Sequence, residues 1–208
     1  MRSENITGRW VLGFFAMVLV LQAPQFAGAS QTYFSFTSTP NSWVGHGFPS
    51  YFVTPEMGWN FSAYSGTDRD HVWLIASGYE PRIITNYNTA WEIHLDAPSR
   101  GPLLPGHYSD ATRWPFNPYE ETGMSLQVTS RGNNTLSGYF TILEFEMNPN
   151  GTVSRFAVDF RVYEGMYSKD NWVDGRFRYN SLIPEPASCI CLVMFLCIGI
   201  SRRIVVRF

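Results

Sequence analysis

The chain has 208 residues, 17 acidic and 15 basic, and is 45% hydrophobic and 16% aromatic. That is enough apolar material for one ordinary domain, and a formal net charge of −2 leaves no basic face of the kind nucleic acid selects. All three cysteines (Cys189, Cys191, Cys197) fall in an apolar stretch near the C-terminus. What precedes it is therefore neither a disulfide-stapled scaffold nor a cysteine-ligated metalloprotein, and it has no cysteine nucleophile.

In chain order, Arg2 and Arg9 precede an apolar run from Trp10 to Leu21, and Ala27-Gly28-Ala29 has the small-x-small pattern read by signal peptidase. A run of about twelve residues is short for a membrane span and right for an export signal, so residues 1–29 are expected to be removed after Ala29. The expected mature domain, 30–183, keeps ten basic and fifteen acidic residues, a net charge of −5 with Lys169 as its only lysine.

The interior is a succession of short aromatic and β-branched runs separated by Gly, Pro, Asn and Ser. Strands are predicted at Thr32–Thr37, Tyr51–Val53, Trp59–Tyr64, His71–Ser77, Ala90–Leu95, Ser125–Thr129, Thr135–Met147, Thr152–Tyr163 and Asp174–Tyr179. The clearest pair is a hairpin turning at Asn148-Pro149-Asn150-Gly151. On its second arm the alternation puts Phe156, Val158, Phe160 and Val162 on the core face and Ala157, Asp159, Arg161 and Tyr163 on the other. About nine short strands in about 150 residues predict an all-β fold: a single antiparallel sandwich, jelly-roll-like, with a closed barrel as the alternative.

Candidate chemistry is sparse. Asp68 and Asp70 sit in a predicted loop and offer two carboxylates to calcium, which takes six or more oxygens, so the segment also reads as a polar turn before a strand. His46, His71, His94 and His107 lack any metal-ligand spacing. Glu144 and Glu146, two apart on a strand, point to one face as paired glycosidase carboxylates do, although an ordinary half-exposed strand has the same alternation. No Gly-x-Ser-x-Gly elbow and no phosphate-cradling glycine loop occurs. Six tryptophans lie in the mature domain; Trp43, Trp114 and Trp172, flanked by Gly, Pro, Asn or Asp, are the candidates for stacking against sugar rings, the others for core.

The C-terminus carries Pro184-Glu185-Pro186, an apolar run from Ala187 to Ile200, and Ser201-Arg202-Arg203. Fourteen apolar residues fall short of the roughly twenty needed to cross hydrocarbon, so the segment 187–200 suits transient insertion with Arg202 and Arg203 at the cytoplasmic edge. The layout resembles the PEP-CTERM sorting signal of exported Gram-negative proteins. That resemblance implies recognition of Pro184, Glu185 and Pro186 by an exosortase and removal of the tail, 184–208, in transit. Two features depart from the pattern: the short apolar run, and Ile204-Val205-Val206 within a normally basic end.

Further residues resemble a β-sandwich module known mainly from uncharacterised bacterial proteins: Ser42-Trp43-Val44-Gly45-His46-Gly47, Trp91 to Pro98 with Leu104-Pro105-Gly106-His107-Tyr108, Ala111 to Phe116, Gly138-Tyr139-Phe140, Phe156 to Phe160, and Arg178 to Ser181. In that module the positions of Asn133 and Tyr163 are cysteines, so the resemblance implies a disulfide lost here. It implies no activity. Asn60-Phe61-Ser62, Asn133-Asn134-Thr135 and Asn150-Gly151-Thr152 are glycosylation sequons that a bacterial host need not use. The expectation is a non-enzymatic exported protein of the cell surface or extracellular matrix, processed by signal peptidase and an exosortase-like enzyme. It needs no cofactor, has extracellular polysaccharide as its candidate partner, and does not bind nucleic acid. The alternative is a secreted glycoside hydrolase using Glu144 and Glu146.

Overall fold

The computed structural model describes residues 29–84, 88–129, 131–165 and 168–184. Ala27, Glu185, Pro186, Arg202, Arg203 and the apolar segment 187–200 lie outside them, while Ala29 and Pro184 stand at the two ends. Among the described residues no helix is long and apolar enough to cross a membrane.

The chain is all-β. Its strands are β1 (Gln31–Ser38), β2 (Tyr51–Val53), β3 (Asn60–Ser65), β4 (His71–Gly78), β5 (Thr89–Asp96), β6 (Gly106–Arg113), β7 (Gly123–Val128), β8 (Arg131–Gly132), β9 (Ser137–Met147), β10 (Val153–Tyr163) and β11 (Trp172–Ser181). The nine expected strands are all present with ends shifted by a few residues. Two were not expected, β6 and the two-residue β8. Gly106-His107-Tyr108-Ser109-Asp110 has no apolar alternation, and apart from the half-buried Tyr108 it is exposed until Ala111. It is a strand because β9 offers it a ladder, which a single sequence does not display.

The strands form one curled sheet in the order β2-β1-β11-β10-β9-β6-β7-β5-β4-β3, with β8 added to β7. All pairings are antiparallel except β6 with β7. Consecutive strands β2 and β3 occupy opposite edges, yet only Thr54–Trp59, with a 3-10 turn at Pro55–Met57, joins them. Six residues reach at most about 20 Å, so the sheet must curl until its edges approach. Rings then meet across the interior: Phe61 of β3 lies 5.8 Å from Phe177 of β11, and Trp91 of β5 lies 5.5 Å from Phe34 and 4.8 Å from Phe36 of β1.

Alternation builds this interior as expected. Phe156, Val158, Phe160 and Val162 are buried, in one cluster with Phe140 beside them on β9 and with Leu74, Ile93, Leu95 and Leu126. The Asn148–Gly151 turn closes with Asn148 N–H donating to Thr152 O at 2.7 Å and Gly151 at φ 81°, a conformation that favours glycine. Ala157 departs from expectation: it is fully buried although it faces away from the core. Its register partners, Glu144 and Arg178, are long side chains on the same face and cover its methyl.

Candidate functional site

Curling gives the sheet two outer faces of opposite character. Outside β9, β10 and β11 the side chains form ion pairs: Arg155 with Glu144 and Glu146, Arg161 with Asp174, and Arg178 with Asp159. Outside β3, β4 and β5 they form a row of rings. Register sets Tyr64 opposite Trp73 and Trp73 opposite His94, and period-two alternation turns all three outward, while Ala63, Leu74 and Ile93 turn inward.

Within this row Tyr64 and Trp73 lie 5.5 Å apart between ring centres, and Trp73 and His94 lie 5.6 Å apart with planes only 10° from parallel. His71 Nε2 is 3.2 Å from His94 Nδ1, so the two imidazoles sit side by side. Trp114 covers them, 4.1 Å from His94 and 4.8 Å from His71, with planes within 15° of both.

The loop after β6 holds Trp114 there. Its N–H donates to Met124 O at 2.9 Å, its bond to Pro115 is cis, and Phe116 N–H closes the turn on Arg113 O. Asn117 ties the loop to β5 by donating from Nδ2 to Asp96 Oδ2 at 3.0 Å. Gly123 makes room for this, because a Cβ there would lie 2.6 Å from Asn117 Oδ1.

Polar groups border the rings. Glu92 Oε2 accepts from Trp73 Nε1 at 3.2 Å and from Gln127 Nε2 at 3.1 Å, which fixes the indole of Trp73 in the plane of the row. His94, only 6% exposed, has its pKa lowered to about 4, chiefly by burial and then by its neighbour His71. Burial also lowers His71, against the opposing pull of Asp96 and Asp70. Both imidazoles are therefore neutral at pH 7, and the pair can share one N–H···N hydrogen bond. Tyr64, 53% exposed, and the half-buried Trp73 and Trp114 are left facing outward as a hydrophobic strip with a carboxylate and an amide alongside.

Of the three tryptophans singled out from sequence, only Trp114 joins this row. Trp43, 55% exposed, is set by Glu164, whose carboxylate accepts from Ser42 Oγ and from the N–H groups of Trp43 and Val44 at 2.6–2.8 Å. The Arg131 guanidinium lies over its ring at 4.3 Å. Trp172 is half-buried with Arg161 over it at 4.9 Å. Each of these two indoles thus presents one face to a cation.

Glu144 and Glu146 do share a face, bridged by one guanidinium, that of Arg155. Glu144 also accepts from Ser181 Oγ at 2.7 Å and from Leu182 N–H at 3.0 Å, so it ties the end of β11 to β9. Asp68 is exposed and Asp70 half-buried; the carbonyls of Arg69 and Asp70 accept from Leu103 and Ala97, which pins the loop after β5 against the β3–β4 turn. Among the described residues no group of three His, Cys, Asp or Glu is placed to hold a metal. His107 bonds to Thr141 Oγ1 at 2.9 Å and takes no part in the row.

Sequence reasoning passed over Tyr64, Trp73, His71 and His94 as a group. The alternations His71-x-Trp73 and Glu92-x-His94-x-Asp96 were legible signals that each set shares a face. Only the register between the strands brings the two sets together. No protein family matches the chain, nor does any curated protein or solved structure.

Proposed function

We propose that this protein is a non-enzymatic, exported carbohydrate-binding module of the cell surface or extracellular matrix, with the Tyr64–Trp73–Trp114 strip as its sugar-stacking face. The observation that carries the reading is the strip itself: three outward rings on adjacent elements, flanked by Glu92 and Gln127. Sugar rings present apolar C–H faces to an aromatic plane and hydroxyl edges to carboxylate and amide partners, and flat sheet faces hold such rings at fixed spacing. In this reading Trp43 and Trp172 are secondary contacts, each with one face taken by arginine.

The finer architecture belongs to the same proposal. Strands β1, β2, β6, β9, β10 and β11 act as one layer of a jelly-roll-like sandwich and β3, β4, β5 and β7 as the other. This domain, 30–183, is delivered by a signal peptide ending at Ala29 and a PEP-CTERM-like tail beginning at Pro184. Mass spectrometry of the protein recovered from the envelope and medium is expected to find a species starting near Ser30 and ending near Pro184. Retention of residues through Phe208 would sink the exosortase route and leave a membrane-held precursor.

For the binding face, a glycan array is expected to give saccharide binding that Trp73→Ala reduces by up to about tenfold, the cost of losing about one stacking contact. Arg155→Ala, on the ion-paired face, should leave the signal intact. Equal losses in the two variants would remove the strip from the proposal.

A further inference from the structure

The ring row does not end at Tyr64. Beyond it lies a groove of about 540 Å³ between β3 on one side and the β9–β10 turn with the ends of β10 and β11 on the other. Tyr64 belongs to both features: its ring contacts Trp73, and it lines the groove. Among the described residues β3 is an edge strand paired only with β4, and its other side opens toward this groove.

The chemistry of the groove is uniform. Its walls carry the hydroxyls of Ser62, Ser65 and Ser154, the amide of Asn180, and the phenols of Tyr64 and Tyr179; of these, Ser65 Oγ already donates to His71 O and Asn180 Nδ2 to Ser154 O, so Ser65 is left to accept and Asn180 keeps one amide hydrogen to donate. None of its lining residues carries a charge. Hydroxyls and amides both donate and accept, matching a ligand that does the same at every position. A carboxylate or ammonium entering here would lose hydration with no ion to replace it. Glu92 on the adjoining strip adds repulsion against an acidic ligand.

The geometry points to a site for an uncharged polysaccharide chain that crosses the Trp73–Trp114 strip and continues past Tyr64 into the β3 groove. This rests on the strip being a sugar-binding face, and it adds the ligand's charge class and a second subsite that only longer chains reach. Binding should then gain with chain length, because added sugar units fill a pre-formed groove without further loss of translational freedom.

The test is calorimetric titration of the full chain, held in mild detergent, with di- and hexasaccharides of β-1,4-glucan, β-1,3-glucan and α-1,4-glucan, and with hexagalacturonate as the acidic probe. At least one neutral hexasaccharide is expected to bind ten times or more tightly than its disaccharide, and hexagalacturonate to bind more weakly than either. Ser62→Trp and Ser154→Trp obstruct opposite walls, so one remains informative if the other misfolds. Each is expected to reduce hexasaccharide affinity to the disaccharide level while leaving the disaccharide unaffected, whereas Trp73→Ala weakens both. Disaccharide binding that depends on Trp73, with no gain on lengthening or no response to either wall variant, overturns the groove and spares the strip. Absence of any saccharide binding overturns both, and preference for hexagalacturonate overturns the charge class.

Discussion

Replacing Trp91 with alanine is expected to cost about 3–5 kcal/mol of stability, the range for deleting a large aromatic side chain from a packed core. Trp91 is 1% exposed, and its ring contacts Phe34 and Phe36 of β1 and Tyr51 of β2, strands that lie far from β5 along the sheet. It therefore fills space between the two ends of the curl, where no backbone ladder runs from β5 to β1 or β2. The backbone ladders on either side hold their strands in place and keep them from closing onto the void, so little relaxation is available. Equilibrium denaturation in urea is the measurement, with Trp91→Phe as the partner variant. The phenylalanine variant should lose less than half as much as the alanine one. A loss under about 1 kcal/mol for Trp91→Ala would mean that the two halves of the sheet are held by something other than this interior contact.

Acidification is expected to destabilise the fold before its carboxylates titrate, and the sign follows from the histidine pair. In the unfolded chain both imidazoles titrate near their ordinary value of about 6.5. In the folded chain His94 is lowered to about 4 and His71 is lowered too, so between those values the unfolded state binds more protons. Stability is then complete above about pH 6.5 and falls as pH drops toward 4, with a slope approaching about 1.4 kcal/mol per pH unit from His94 and a contribution of the same sign from His71. Allowing for screening, the His94 share is about 2–3 kcal/mol.

The groups facing the pair are Asp70, Asp96 and Glu92, and the indole of Trp114 closes it from above. Glu80 behaves differently: its carboxyl is held below the usual range chiefly by hydrogen bonds from Arg82. Its contribution is present above about pH 4.5 and disappears only under stronger acid. Denaturation midpoints measured from pH 7 to 4.5 therefore report the histidines, including His46, which burial and Arg131 also lower, and the His94 variant separates the pair from it. His94→Asn should lower the slope in that window by about one proton's worth, and a wild-type profile flat from pH 7 to 4.5 would refute the buried neutral pair.

Much of this protein could be read from the chain alone, and the reason is local. Alternation of large apolar and polar residues identifies a strand and its buried face without any partner, which is why Phe156, Val158, Phe160 and Val162 were placed correctly. The turn at Asn148–Gly151 was legible because left-handed backbone is chemically restricted to a few residue types. Composition alone determined that residues 30–183 have no cysteine and a mild negative charge.

Everything that depends on pairing between distant segments had to come from the tertiary structure. β6 has no pattern of its own and exists because β9 and β7 complete it. Glu144 and Glu146 looked the same on paper whether catalytic or structural, and the long-range ties of Glu144 to Arg155 and Ser181 are invisible to spacing. Four dispersed histidines gave no reason to join His71 to His94, yet the β4–β5 register and the loop bearing Trp114 bring them side by side under one indole. A strand's sequence states which side chains share its face; which neighbour lies beside that face is a matter of register and curl, and those are set by the packing of the whole sheet.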